Sequence, residues 1–225
     1  MIAPAACVVP ALDAERTVGT VVRGVRAAVP HALLIGVDDG SRDGTRAALL
    51  ACCDVVIAFD VNRGKGAALR AGIAAALARD AAAVLTIDAD GQHDPATAAA
   101  LLEALRDADL AIGARTRRGT AMPLGRRVTN ALASAAVGAI IGAPVLDAQS
   151  GFRAARRRVF ETVRAGGDRY EYETEFLIGA ARAGFRIATV PVATTYGAAS
   201  HFRGVRDSAR VVRAIWRQRA GAFPG

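Results

Sequence analysis

Short, continuous apolar runs punctuate the first half of the chain: Cys7–Val9, Leu33–Val37, Val55–Phe59, Val84–Ile87 and Leu110–Ile112. Runs without polar alternation suit strands buried on both faces, the condition of a parallel sheet covered by helices. The segments between them, Glu15–Val29, Thr45–Ala51, Ala67–Ala78 and Ala96–Leu105, are alanine-rich and predict helices, and Asp94-Pro95 is a good helix start. The alternation predicts a doubly wound α/β arrangement up to about Ala114. In such sheets ligands bind beyond the carboxyl ends of the strands. The polar clusters fall there: Asp38–Thr45 after the second run, Asn62–Gly66 after the third, Asp88–Asp94 after the fourth and Arg115 after the fifth.

Beyond Arg115 the pattern changes. Thr116–Gly125 reads as a loop, Arg126–Gly142 as a helix, Ala148–Ala154 as a strand, Glu173–Ala183 as a helix, Arg186–Val192 as a strand and Val205–Arg219 as a basic helix. No internal repeat and no linker divides the chain, so residues 1–225 read as one domain whose second half covers the sheet and completes one cleft.

Composition narrows the partners. The 225 residues carry 29 Lys or Arg against 21 Asp or Glu, a formal charge of +8, and Lys65 is the only lysine. Such a balance suits nucleic acid, an anionic membrane surface or phosphorylated small molecules. Aromatic residues are only 5%, which leaves few stacking platforms for single strands. Cys7, Cys52 and Cys53 lack a CxxC-and-His spacing, so neither a zinc site nor a disulfide framework is predicted, and a reducing cytosol is the expected compartment. Met1–Val9 has no basic segment ahead of an apolar one and does not read as a signal peptide. The longest apolar stretch, Ala131–Leu146, falls short of the ~20 strongly apolar residues that span a bilayer. A soluble or peripheral protein is expected.

The strongest chemical feature is Ile87-Asp88-Ala89-Asp90-Gly91-Gln92-His93-Asp94. Alternate side chains of an extended segment face one way, so Asp88 and Asp90 converge on one cation. Mg²⁺ and similar hard cations take one or two carboxylates plus substrate phosphates, and Gln92 continues the spacing with a carbonyl oxygen. Two anions at a strand end are costly without a cation between them. Asp94 is expected to be a helix N-cap, His93 to support the loop, and His31 to lie on the surface. In Asp38-Asp39-Gly40-Ser41 the adjacent acids cannot share one face; one is expected to accept hydrogen bonds from a base or ribose, the other to support the loop. Asn62-Arg63-Gly64-Lys65-Gly66 places glycines around a lysine at a helix start, where backbone amides and charge are directed at an anion.

These segments together resemble the family 2 glycosyltransferases. Val9-Pro10-Ala11-Leu12-Asp13-Ala14-Glu15 is similar to their N-terminal motif and precedes the Asp-Asp-Gly-Ser-x-Asp-Gly-Thr, Asn-x-Gly-Lys-Gly and Asp-x-Asp motifs in the family order. Asp147–Arg153, Tyr172-Glu173-Thr174-Glu175, Val190-Pro191-Val192 and Ser200-His201-Phe202-Arg203 resemble the dolichyl-phosphate mannose/glucose synthase-like branch, and the likeness runs from residue 7 to about 207. It implies an α/β GT-A fold with a mostly parallel central sheet flanked by helices. Residues 1–115 would be the nucleotide-sugar half, and 116–225 the acceptor-side half with a basic C-terminal helix. By carry-over, Pro10, Leu12, Glu15 and Asp39 would line the nucleoside site, Asp88 would lie against the donor, and Asp88, Asp90 and Gln92 would hold Mg²⁺ or Mn²⁺. Asp13 stands where the family usually has Asn, keeping size and adding charge. One of Glu173 and Glu175, both in the first turn of a predicted helix, would face the acceptor side.

The implied reaction moves a sugar, with inversion, from a nucleotide-diphosphate sugar to a polyprenyl (undecaprenyl or dolichyl) phosphate. Breaking the donor bond builds negative charge on the leaving phosphate, which a metal and arginines stabilise; Arg115, Arg127 and Arg203 are the candidates, with Lys65 on the donor side. A phosphate acceptor already carries about −1.5 to −2 charges near pH 7 and attacks with little base assistance. Asp147 is the best carboxylate for a base or orienting role, the competing reading being a cap of the following turn. Arg203, Arg206, Arg210, Arg213 and Arg217 form one helix stripe opposite Val205, Val211, Val212, Ile215 and Trp216. That stripe reads either as a solvated basic face or as a helix lying on an anionic cytoplasmic membrane face. The alternatives are a family member with a polysaccharide, glycolipid or small-molecule acceptor, and a non-catalytic basic module that leaves the ordered acidic motifs without a use.

Overall fold

The computed structural model describes residues 3–115, 134–135, 137–139, 147–169 and 171–193. Arg127, Arg203, the loop at 116–125, most of the helix predicted at 126–142 and the basic C-terminal helix lie outside the described residues.

The chain order is β1 (Ala5–Ala11), α1 (Val18–Ala28), β2 (Leu33–Asp38), α2 (Thr45–Leu50), β3 (Val55–Ala58), α3 (Lys65–Leu77), β4 (Ala83–Thr86), a 3-10 turn (Pro95–Thr97) and α4 (Ala98–Ala104). Then come β5 (Leu110–Arg115), β6 (Arg153–Arg156), α5 (Arg157–Thr162), α6 (Glu171–Arg182) and β7 (Ile187–Val192). Among the described residues the strands form one sheet in the order β3-β2-β1-β4-β6-β5-β7. Only β6 runs antiparallel to its neighbours, β4 and β5.

Both faces of the sheet are covered, which is why the strands read as unbroken apolar runs. Along β1, Ala6 and Val8 join Ile35, Val37, Leu69, Ile73 and Phe176 under α3 and α6. Cys7 and Val9 join Leu34, Leu85, Leu101 and the valines of α1 on the opposite face. Val18, Val21, Val22 and Val25 make a buried stripe at helical spacing on α1.

The departures from the sequence-based elements have local causes. Helix α1 begins at Val18 rather than Glu15, because Asp13 takes a left-handed backbone (φ 47°) and Glu15 accepts the Gly44 N–H at 3.1 Å. Asp and Asn tolerate this region of backbone space. The strand expected over Ala148–Ala154 is a turn followed by β6 from Arg153, and α5, for which no element was expected, follows it directly. Asp94 caps the turn ahead of α4 as expected, its Oδ1 accepting from Ala96 N at 3.0 Å. The cysteines are free: Cys7 is buried, and Cys52 and Cys53 are half-buried.

Candidate active site

The carboxyl ends of β1, β2, β4 and β5 and the turn entering β6 meet at one edge of the sheet. Two loops are stitched together first. The N–H groups of Asp13 and Ala14 donate to Ser41 Oγ (3.0 Å) and Thr45 Oγ1 (2.7 Å), and Asp13 Oδ1 accepts from Arg42 N (2.8 Å). Asp13 thus uses its carboxylate to support a loop, and Glu15 does the same at Gly44.

The two acids at the end of β2 face different ways, as adjacency requires. Asp38 accepts from Ser41 N at 3.0 Å, with Arg46 Nε 3.7 Å from its other oxygen. Asp39 turns to the next loop, taking the N–H of Arg63 (2.7 Å) and of Gly64 (3.0 Å). Burial pushes the Asp39 carboxyl above its ordinary range, opposed by those two N–H groups. Both acids support loops in this structure.

The glycine-rich start of α3 is shaped by the protein's own backbone. A side chain on Gly64 (φ 101°) or Gly66 would strike the carbonyls of Asp168 and Gly167. That strap is tied down by Asp168 O on Ala67 N (3.2 Å), by Arg70 on Asp168 and Gly167, and by Glu175 Oε2 on the N–H groups of Gly166 (3.0 Å) and Gly167 (2.9 Å). Lys65 projects from this turn into the site. Its Nζ lies 2.6 Å from Asp88 Oδ1 and 2.6 Å from Glu173 Oε1. Burial alone would lower the lysine's pKa, but the two carboxylates outweigh it and raise it. The same pairing keeps Asp88 ionised against its own burial. Glu173 itself is buried, and its Oε2 has no hydrogen-bond partner among the described residues.

Asp90 lies beside this pair, its Oδ1 accepting from Gln92 N at 3.0 Å. Burial and the neighbouring Asp88 push its carboxyl up. Gln92 and His93 are buried, His93 Nδ1 has no hydrogen-bond partner among the described residues, and burial lowers the imidazole pKa to about 4. At the end of β5, Arg115 grips Asp147 through both carboxylate oxygens. Arg153, buried in β6, donates to the carbonyls of Ser150, Glu173 and Ala148, each at 2.6 Å.

Asp88, Asp90, Gln92, Lys65, Arg115 and Asp147 are therefore gathered at one edge, while Pro10, Leu12, Glu15, Asp38 and Asp39 belong to the β1 and β2 ends beside it. Of the two acids expected near the start of α6, Glu173 is the one brought onto Lys65, and Arg153, for which no role was expected, holds the Glu173 carbonyl. Nothing local distinguishes Glu173 from Glu175, and an arginine in a strand carries no local mark of burial. The oxygen donors fit a hard divalent cation: an ionised Asp88, Asp90 whose ionisation Asp88 opposes, and an adjacent amide, with a protein cation already resting on one of the carboxylates.

Residues 6–164 match the glycosyltransferase family described as "Glycosyl transferase family 2". The chain belongs to glycosyl transferase family 2. Family membership makes it a glycosyltransferase, and the sheet order with its buried β4 end is the GT-A fold. It is 31% identical over 201 residues to the polyprenol monophosphomannose synthase of Mycolicibacterium smegmatis, covering 84% of this chain and 76% of that one. It is 33% identical over 179 residues to the undecaprenyl-phosphate mannosyltransferase of Micrococcus luteus, covering 75% and 74%. Among solved structures, glucosyl-3-phosphoglycerate synthase of Mycobacterium tuberculosis, in complex with Mn²⁺, UDP and glucosyl-3-phosphoglycerate, superposes with a TM-score of 0.72 at 26% identity, over 98% of this chain and 81% of that one. The same synthase has also been solved with Mg²⁺ and UDP.

Proposed function

We propose that this glycosyltransferase moves a hexosyl group, with inversion, from a nucleotide-diphosphate sugar to a polyprenyl phosphate at the cytoplasmic membrane face. The observation that carries the donor half of this reading is the Asp88–Asp90 pair at the β4 end, with Lys65 and Arg115 beside it. The acceptor rests on the names of the two mannosyl-transferring relatives. Among the described residues no helix is long and apolar enough to cross a membrane. The proposal therefore assigns contact with the lipid to the basic segment around Arg203–Arg217.

Asp88, Asp90 and Gln92 are the residues that would hold Mg²⁺ or Mn²⁺, which when bound would neutralise charge on the leaving diphosphate. Arg115, oriented by Asp147, presents a second positive charge to the same space. Pro10, Leu12, Glu15 and Asp39 are assigned to the nucleoside, with Asp38 beside them; Asp39 also shapes that pocket through the backbone of Arg63 and Gly64. Arg127 and Arg203 are assigned to the acceptor phosphate. An acceptor phosphate oxygen attacks the anomeric carbon as the bond to the donor's β-phosphate oxygen breaks. The acceptor is already ionised, so no proton has to be removed. In this scheme residues 1–115 form the donor half and 116–225 the acceptor half.

A second reading, a small phosphorylated acceptor, is favoured by the likeness to glucosyl-3-phosphoglycerate synthase. Both are tested by incubating the protein and Mn²⁺ with labelled nucleotide sugars and either undecaprenyl phosphate or phosphoglyceric acid. Label in an organic-extractable product supports the first and label in a soluble phosphorylated glycoside the second; label in neither with any donor overturns both. Loss of product on chelation and its recovery with Mn²⁺ test the metal requirement.

A further inference from the structure

The ammonium of Lys65 stands where a bound cation would be sought, 2.6 Å from Asp88 Oδ1. Its surroundings leave it little freedom. The first turn of α3 is held by Asp39 at the N–H groups of Arg63 and Gly64 and by Asp168 O at Ala67 N. Glu173, which shares the ammonium, sits in the first turn of α6, where Arg153 holds its carbonyl. The turn entering β6 closes from another side: a Cβ on Gly151 would lie 2.5 Å from Asp88 Oδ2 and 2.7 Å from Lys65 Nζ. Within this enclosure the ammonium is shared between two carboxylates, Asp88 and Glu173.

We propose that Lys65 is a resident cation on Asp88, apportioned between Asp88 and Glu173, so that the divalent ion is held firmly only together with a nucleotide diphosphate. This rests on the reading of Asp88 and Asp90 as cation ligands. With Asp88 largely neutralised by Lys65, Asp90 is the principal uncompensated carboxylate offered to a free ion, and the Lys65 charge repels that ion at short range. A diphosphate adds the missing negative charge and bridges to the ion. The donor therefore enters as its metal complex, and by reciprocity the ion strengthens nucleotide binding by the factor by which nucleotide strengthens ion binding. Glu173 acts as a positioning residue, drawing the ammonium off Asp88.

The test is Mn²⁺ titration of the full chain, with free Mn²⁺ read from its electron paramagnetic resonance signal, with and without UDP. Saturating UDP is expected to tighten Mn²⁺ binding by about tenfold or more in the unaltered protein. Without UDP, Lys65→Met is expected to bind Mn²⁺ about tenfold tighter, and Glu173→Gln severalfold weaker, because the ammonium then rests on Asp88 alone. A generic loss of site structure would weaken both variants. The inference is overturned if Lys65→Met fails to tighten binding, or if the two variants shift the same way. Should Lys65→Met not fold, Lys65→Gln carries the same expectation, and an unchanged or tighter Glu173→Gln alone overturns the inference. If no Mn²⁺ binds even with UDP, or Asp90→Asn binds Mn²⁺ with UDP as the unaltered protein does, the metal reading itself falls, and the inference falls with it.

Discussion

Arg115 and Asp147 are joined by two hydrogen bonds, Nε to Oδ2 at 2.6 Å and Nη2 to Oδ1 at 2.9 Å. Both oxygens of the carboxylate are therefore spent on the guanidinium, which points to orienting Arg115 rather than accepting a proton. Asp147→Asn is expected to lower kcat roughly 10- to 100-fold while leaving the shape of the pH–rate profile unchanged. The double variant with Arg115→Ala should be no worse than Arg115→Ala alone. Loss of the acidic limb of the profile in Asp147→Asn would instead make Asp147 a base.

Arg153 fastens the turn before β6 and the start of α6 from beneath the site. Arg153→Met keeps much of the volume but strips the donors from three buried carbonyls, and should cost about 3–5 kcal/mol in denaturant unfolding. Arg153→Lys keeps the charge but lacks the planar fork that reaches all three carbonyls, so it should restore only part of that loss. A change under about 1 kcal/mol in Arg153→Met would refute the assignment.

Gly151 packs directly against the Lys65–Asp88 pair. An alanine there would press against both Asp88 oxygens and against Lys65 Nζ, at 2.5–2.7 Å. Gly151→Ala is expected to weaken UDP binding in the presence of Mn²⁺ by about tenfold or more, with a smaller effect on UDP alone. Isothermal titration with and without the metal measures the difference. Equal losses under both conditions would mean that the clash is relieved elsewhere.

Asp109, at the far end of the sheet, receives Arg158 Nε (3.1 Å) and Nη2, and Arg186 N (3.0 Å), linking β5, α5 and the start of β7. Burial would raise its pKa, but these donors prevail and hold it below the ordinary carboxylate range. Since the folded pKa lies below the unfolded one, the stabilisation is complete above the unfolded carboxylate pKa of about 3.9. It is lost as pH falls through the lowered folded value. Urea unfolding between pH 6 and pH 2.5 should show Asp109→Asn less acid-sensitive than the unaltered protein. Parallel curves would remove Asp109 from the acid response.

Much of this was legible from local pattern. The five apolar runs became β1 to β5 within a few residues at each end, because unbroken Val, Ile, Leu and Ala runs are stable only between two covering layers. The Asp88–Asp90 spacing and the Asp94 cap rest on neighbours in the chain, so they too could be read. The glycines of Asn62–Gly66 were legible as a need for close approach, but not as an approach by Gly167 and Asp168, about a hundred residues away. Glu173 and Glu175 have the same local setting, yet one is buried on Lys65 and the other holds the 166–167 turn. Helix periodicity does not say which neighbour an acid will meet.

A doubly covered sheet with acids and glycines gathered at its strand ends follows from hydrophobic period and residue type alone. The pairing of the charges is set by long-range packing: Lys65 between Asp88 and Glu173, Arg115 on Asp147, and Arg153 on three carbonyls. The reason is physical. Burial makes an ionised group find a partner, but which partner depends on the antiparallel return of β6 and the docking of α6, contacts between segments far apart in the chain.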